Sequence, residues 1–193
     1  MRRCMAVLIA VAGVATLTGP AGAQETNGCL LVPATKLEAF ETNTDTVIIK
    51  ATAPIGTVPA HGGEVSVRCR EITDAGTGHR ESGIVVDIAL GGPTESGLLV
   101  DYDELDSLVD GMEYLGKLDW SVTTLPDFLA VYTTKGGFRV VARGSRRTGN
   151  IEFDVRNTRA NDPRLPLSRD QLGQLRSLVE QAKAKLDSLR KAK

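Results

Sequence analysis

Aromatic side chains are scarce in this chain. Trp, Tyr and Phe make up 4% of 193 residues, so any core has to be built from Val, Ile and Leu. Histidine is scarcer still, with only His61 and His79. Cysteine occurs three times, as Cys4, Cys29 and Cys69. After Ala23 there is no apolar run long enough to span a bilayer.

These shortages exclude chemistry. No Gly-x-Ser-x-Gly elbow presents a nucleophile to either histidine, and both lie beside glycines in expected turns. Two isolated histidines and two distant cysteines do not supply the close spacing of a zinc site. Gly76-x-Gly78 runs on to Glu81, where a dinucleotide fingerprint needs glycine, and no Walker lysine motif follows any strand. Asp101, Asp103, Glu104, Asp106 and Asp110 form the densest carboxylate cluster. They lack the glycine and glutamate spacing of a calcium loop, and a helix would splay them over different faces. They read as a solvated helix start. Neither a metal nor a cofactor is expected.

What is present begins with a leader. Arg2 and Arg3 precede an uncharged apolar stretch from Ala6 to Leu17. Gly19-Pro20 breaks it, and Ala21-Gly22-Ala23 is a small-x-small cleavage site. Residues 1–23 therefore read as a signal peptide, cut between Ala23 and Gln24. The expected location is outside the cytoplasm, in a periplasm or beyond the cell. In that oxidising compartment Cys29 and Cys69 are an even pair, and a disulfide is expected. Closing a loop of about 40 residues would stabilise the fold by about 3–4 kcal/mol. The alternative is two free buried thiols.

The remaining chain is ordinary in bulk, at 41% hydrophobic and 24% charged. Residues 24–35 read as a polar lead-in and residues 36–193 as one α+β domain. The first β region covers 36–100. Val65, Val67 and Cys69 alternate with Glu64, Ser66, Arg68 and Arg70, the period-two signature of a half-covered antiparallel strand. Ile84, Val86, Ile88 and Leu90 repeat it. A weaker strand is expected at Leu37–Thr42 and a short one at Leu98–Val100.

A helix over 103–115 carries Leu105, Leu108, Val109, Met112 and Leu115 on one stripe, with Asp101-x-x-Glu104 as its capping box. The second β region, 119–157, holds hairpin strands in which Phe138, Val140 and Ala142 face in, as do Ile151, Phe153 and Val155. A further strand is expected near Trp120–Thr124. A helix over 169–190 opens on the box Ser168-x-x-Gln171. Its apolar spacing, from Leu172 through Leu175, Val179, Ala182 and Leu186 to Leu189, is 3, 4, 3, 4, 3. The stripe can pack across its own sheet, which favours a monomer, or mediate a dimer. The order is strands, helix, strands, helix. It predicts antiparallel β-meanders with two helices, possible as two ββββα pseudo-repeats.

Charge is divided along the chain. Glu81 to Asp127 holds eleven acids and one base, whereas Lys135 to Lys193 holds fifteen bases and six acids. The two stretches either pair with each other or present a surface to an anion. The candidate anion surface is Lys135, Arg139, Arg143, Arg146 and Arg147 on one hairpin, with Phe128 and Tyr132 on its outer face. Glu152 and Asp154 lie beside it and could neutralise Arg139 and Arg143 as cross-strand pairs.

Four segments carry a resemblance: Leu37-Glu-Ala-Phe-Glu-Thr, Asp101-Tyr-Asp-Glu-Leu-Asp, Ala130-Val-Tyr-Thr-Thr-Lys-Gly-Gly and Leu167-Ser-Arg-Asp-Gln-Leu. Together they are similar to an uncharacterised family of exported bacterial proteins, which implies export and no particular activity. A ββββα unit ending in Leu-Ser-x-x-Gln-Leu-x-x-Leu resembles the Whirly-type and coactivator-type folds that bind single-stranded DNA. That likeness implies topology, and the leader argues against nucleic acid as the partner. The expected function is an exported, non-enzymatic binding or structural module with an unknown envelope or extracellular partner. The alternatives are anion or single-strand binding through the basic hairpin, and a divergent enzyme whose site would show as a concave polar cluster.

Overall fold

The computed structural model describes residues 32–91, 97–159 and 164–191. The expected leader, its cleavage site and Cys29 lie outside the described residues. Within them the chain forms two antiparallel four-stranded sheets and three helices, the expected α+β architecture. The first sheet runs in order β1 (Ile48–Ala60), β2 (Gly63–Asp74), β3 (Arg80–Ala89) and β4 (Leu98–Asp101). A 3-10 turn, Tyr102–Glu104, leads into helix α2 (Leu105–Gly116). The second sheet runs β5 (Asp127–Thr133), β6 (Phe138–Ser145), β7 (Asn150–Asn157) and β8 (Arg164–Leu167), and helix α3 (Arg169–Lys191) closes the chain.

Alternation sets which face each strand buries. Val65, Val67 and Cys69 of β2 and Ile84 and Val86 of β3 enter the main core, as expected. Phe138, Val140 and Ala142 of β6 and Phe153 and Val155 of β7 enter the same core from the second sheet. The helices lie crosswise. Helix α2 follows the first sheet and packs on β5 and β6, while α3 follows the second sheet and packs on β1, β2 and β3. Each half thus covers the other half's sheet, and one continuous core results. Helix α3 buries Leu172, Leu175, Val179, Ala182 and Leu186 against its own chain. Its expected capping box is made, with Gln171 N–H donating to Ser168 Oγ at 3.1 Å and Ser168 N–H to Gln171 Oε1 at 2.7 Å.

Four expectations are corrected. Residues Leu37–Thr42 are not a strand: helix α1 covers Lys36–Glu41. Thr35 Oγ1 accepts from Glu38 N–H at 3.0 Å, and Leu37 and Phe40, one turn apart, pack with Ile72, Val85 and Leu99 on the first sheet's far face. Asp101 makes no cap bond to its own helix; its carboxylate accepts from Lys36 N–H at 2.7 Å and Leu37 N–H at 3.1 Å, where the positive end of α1 attracts it. Residues Trp120–Thr124 form no strand, because Arg146 takes the carbonyls of Trp120, Thr123 and Leu125, the first two at 2.8 Å. Finally, Phe128 and Tyr132 face inward: Phe128 lies over its partner Gly144, and the Tyr132 ring lies on Gly111 of α2.

Cys69 is a free, buried thiol, so the expected bridge to Cys29 is not seen. Its Sγ lies 3.5 Å from the Ala182 carbonyl beneath α3. Helix α1 packs on the opposite face of that sheet. Burial pushes the Cys69 thiol pKa up.

Candidate functional site

The five hairpin cations do not form one surface. Lys135 sits in the β5–β6 turn, 4.0 Å from Asp103, beside the first sheet. Arg139 and Arg143 lie on the outer face of β6, where Arg139 Nε donates to Thr133 Oγ1 at 3.1 Å. The expected partners of these two arginines go elsewhere. Asp154, 1% exposed, is held by Arg156 of its own strand and faces Arg164 of β8 at 3.7 Å, and Glu152 meets Arg164 at 3.4 Å. Val141, between Arg139 and Arg143 on the strand, is only 2% exposed.

Arg146 and Arg147 stand at the other end of the hairpin, in the β6–β7 turn. Arg146 Cζ lies 5.3 Å from the centre of the Trp120 ring, and the Phe128 ring meets Trp120 edge-on at 5.7 Å and 72°. Trp120, half-buried, is fixed in this way on the wall of a groove of about 730 Å³. Lys117, Arg164 and Arg169 bring three cations to the groove, and Asp119, Asn150 and Glu152 bring acceptors. Phe153 and Leu167 contribute apolar surface.

Each group is placed by a local cause. Lys117 follows the last turn of α2 and pairs with Glu113 one turn earlier. Arg169 closes the C-terminal end of α2, donating to the carbonyls of Gly116 and Leu118, and its guanidinium lies 5.3 Å from the Phe153 ring centre. Ser121 donates to Asp119 at 2.7 Å and holds that carboxyl below its ordinary range, so it stays an anionic acceptor. The groove's remaining wall is backbone. Strand β8 pairs with β7 only from Phe153 to Arg156, so Asn150–Glu152 run without a strand partner on that side among the described residues.

A second concavity, of about 490 Å³, holds Lys36, His79, Glu81, Tyr102, Asp103 and Arg190. Its charges are matched internally. Lys36 bonds Asp103 at 3.1 Å, which raises the lysine pKa and lowers that of the carboxyl. Tyr102 donates to Asp187, which raises its pKa, and Arg190 caps its ring at 4.1 Å. His79 stands 3.4 Å from Glu81 and against the Phe40 ring. No hydroxyl or thiol bonds its ring among the described residues. His61 is exposed in the β1–β2 turn.

The carboxylate cluster is dispersed as helix geometry requires. Asp101 serves α1, Asp103 faces Lys36, Glu104 accepts from Lys135 N–H at 2.9 Å, and Asp106 pairs with Lys183 at 2.6 Å. No group of three or more His, Cys, Asp and Glu among the described residues could hold a metal ion. No described helix is long and apolar enough to cross a membrane. No family profile, curated protein or solved structure matches the chain.

Of the five hairpin cations, Arg146 reaches this groove only through the Trp120 ring, and sequence reasoning missed the three cations that line it, Lys117, Arg164 and Arg169. They come from the end of one helix, a short strand and the start of another helix. The chain's single Trp, next to Asp119, was the available signal.

Proposed function

We propose that this chain is an exported, non-enzymatic binding module that takes an anionic ligand in the groove beside Trp120. The observation that carries this reading is the convergence of Lys117, Arg164 and Arg169 on one concavity with the chain's only Trp. Arg146 adds positive charge against the Trp120 ring. Its volume falls in the roughly 300–1,000 Å³ range of small-molecule sites. The leader and the resemblance to exported bacterial proteins support a partner met outside the cytoplasm. The internally matched charges of the second concavity give an enzyme reading less support.

Retention on immobilised heparin tests anion binding. Lys117→Glu with Arg164→Glu, both on the groove, is expected to elute at clearly lower salt than the parent chain. Lys50→Glu with Arg80→Glu makes the same change of charge on the first sheet and is expected to shift it far less. Equal shifts for both pairs would show attraction to net charge alone and would sink the site. Export has its own check. The chain secreted by a bacterial host is expected to begin at Gln24, and an intact Met1 would contradict it.

A further inference from the structure

We infer that the groove binds an acidic oligosaccharide, a short chain of sugar rings bearing carboxylates. This rests on anion binding at the groove and adds the class of anion.

Three features of the groove select it. The first is the indole. Arg146 and Phe128 fix Trp120 in orientation while leaving it on the groove wall. A flat aromatic face suits the apolar C–H face of a sugar ring, whose rim remains free to form hydrogen bonds. The second is the mixture of acceptors with cations. Asp119 and Glu152 would repel a densely charged phosphate chain. They accept well from hydroxyls, and Asp119 stays ionised because Ser121 donates to it. A uronic acid residue offers both parts, hydroxyl donors for Asp119, Glu152 and Asn150 and a carboxylate for Lys117 or Arg164. The third is the backbone of Asn150–Glu152, which borders the groove and, among the described residues, is paired with β6 on one side and with no strand on the other. Backbone groups on that edge would offer donors and acceptors along the wall, matching a ligand that carries polar groups at intervals.

Trp120 makes the test direct, since all indole fluorescence comes from it. The whole chain is titrated with an oligogalacturonate, a neutral oligosaccharide of equal length, inorganic polyphosphate and poly-dT. A saturable emission change is expected with the oligogalacturonate and little with the other three. Lys117→Glu should weaken that binding on the order of tenfold, the equivalent of one charge-assisted hydrogen bond. Asp119→Asn should weaken oligogalacturonate binding while leaving polyphosphate unchanged or stronger. Circular dichroism confirms that both variants, at exposed positions, are folded. Equal response to the neutral oligosaccharide would overturn carboxylate recognition. Binding of polyphosphate or poly-dT without oligogalacturonate would overturn the sugar and keep the anion site. Silence with all four would remove the anion site as well.

Discussion

Gly111 lies in the middle of α2, where glycine costs about 1 kcal/mol relative to alanine. A Cβ built there would stand 2.5 Å from Tyr132 Cδ2. Gly111→Ala is therefore expected to lower the thermal midpoint, by the equivalent of about 1–3 kcal/mol, despite its better helix propensity. Thermal denaturation followed by circular dichroism checks this, and a raised midpoint would show the ring to be free to move. Cys69 gives a second residue-scale test. Buried, with its pKa raised, it is expected to resist alkylation in the native protein and to react at once in denaturant without reductant. A thiol that reacts only after reduction would restore the bridge to Cys29. The inward side of Cys69 was legible, because period two placed it with Val65 and Val67. What covered it was not, because the Ala182 carbonyl comes from a helix 113 residues away.

At the scale of elements, strong periodicity was readable and short elements were not. Helix α3 has five buried apolar positions at heptad spacing and a capping box, so propensity, pattern and tertiary packing agree. Leu175→Ala, at 0% exposure, is expected to cost about 2–5 kcal/mol in denaturant unfolding, and a loss below 1 kcal/mol would mean the stripe is loosely packed. Helix α1 has six residues and two inward side chains, too few to tell a helix period from a strand period. Its cap reinforcement is Asp101, 64 residues downstream of Leu37, which no local pattern reveals. Asp101→Ala should loosen α1 at about the 0.5–2 kcal/mol cost of losing a helix cap. Faster amide exchange confined to α1 would confirm it, and unchanged protection would contradict it. Strand β8, four residues with Pro166 among them, was overlooked for the same reason of length. Its shortness leaves Asn150–Glu152 of β7 without a strand partner on the groove side among the described residues.

For the whole molecule, the division of charge resolves into pairing between the two halves. Asp106 meets Lys183 at 2.6 Å and Glu113 meets Arg176 at 3.1 Å, which joins α2 to α3. At the groove end Lys117 pairs with Glu113, Arg164 with Glu152, and Arg169 with the carbonyls that end α2. Hydrogen bonds and neighbouring cations hold Asp74, Asp103, Glu113 and Asp119 below their ordinary values. Groups depressed in the folded state stabilise it above their unfolded pKa, and that contribution disappears as pH falls through the folded pKa. The thermal midpoint should hold from neutral pH down to the ordinary Glu and Asp values of 4.5 and 3.8, then fall. A midpoint unchanged well below that window would contradict these bonds. Anion binding at the Trp120 groove is tested most directly by the salt dependence of its affinity for an oligogalacturonate, read from Trp120 fluorescence. Cations that neutralise a polyanion release its counterions, so log K should fall linearly with log salt, with a shallower slope in Lys117→Glu. Binding that ignores salt, or no binding at low salt, would contradict it.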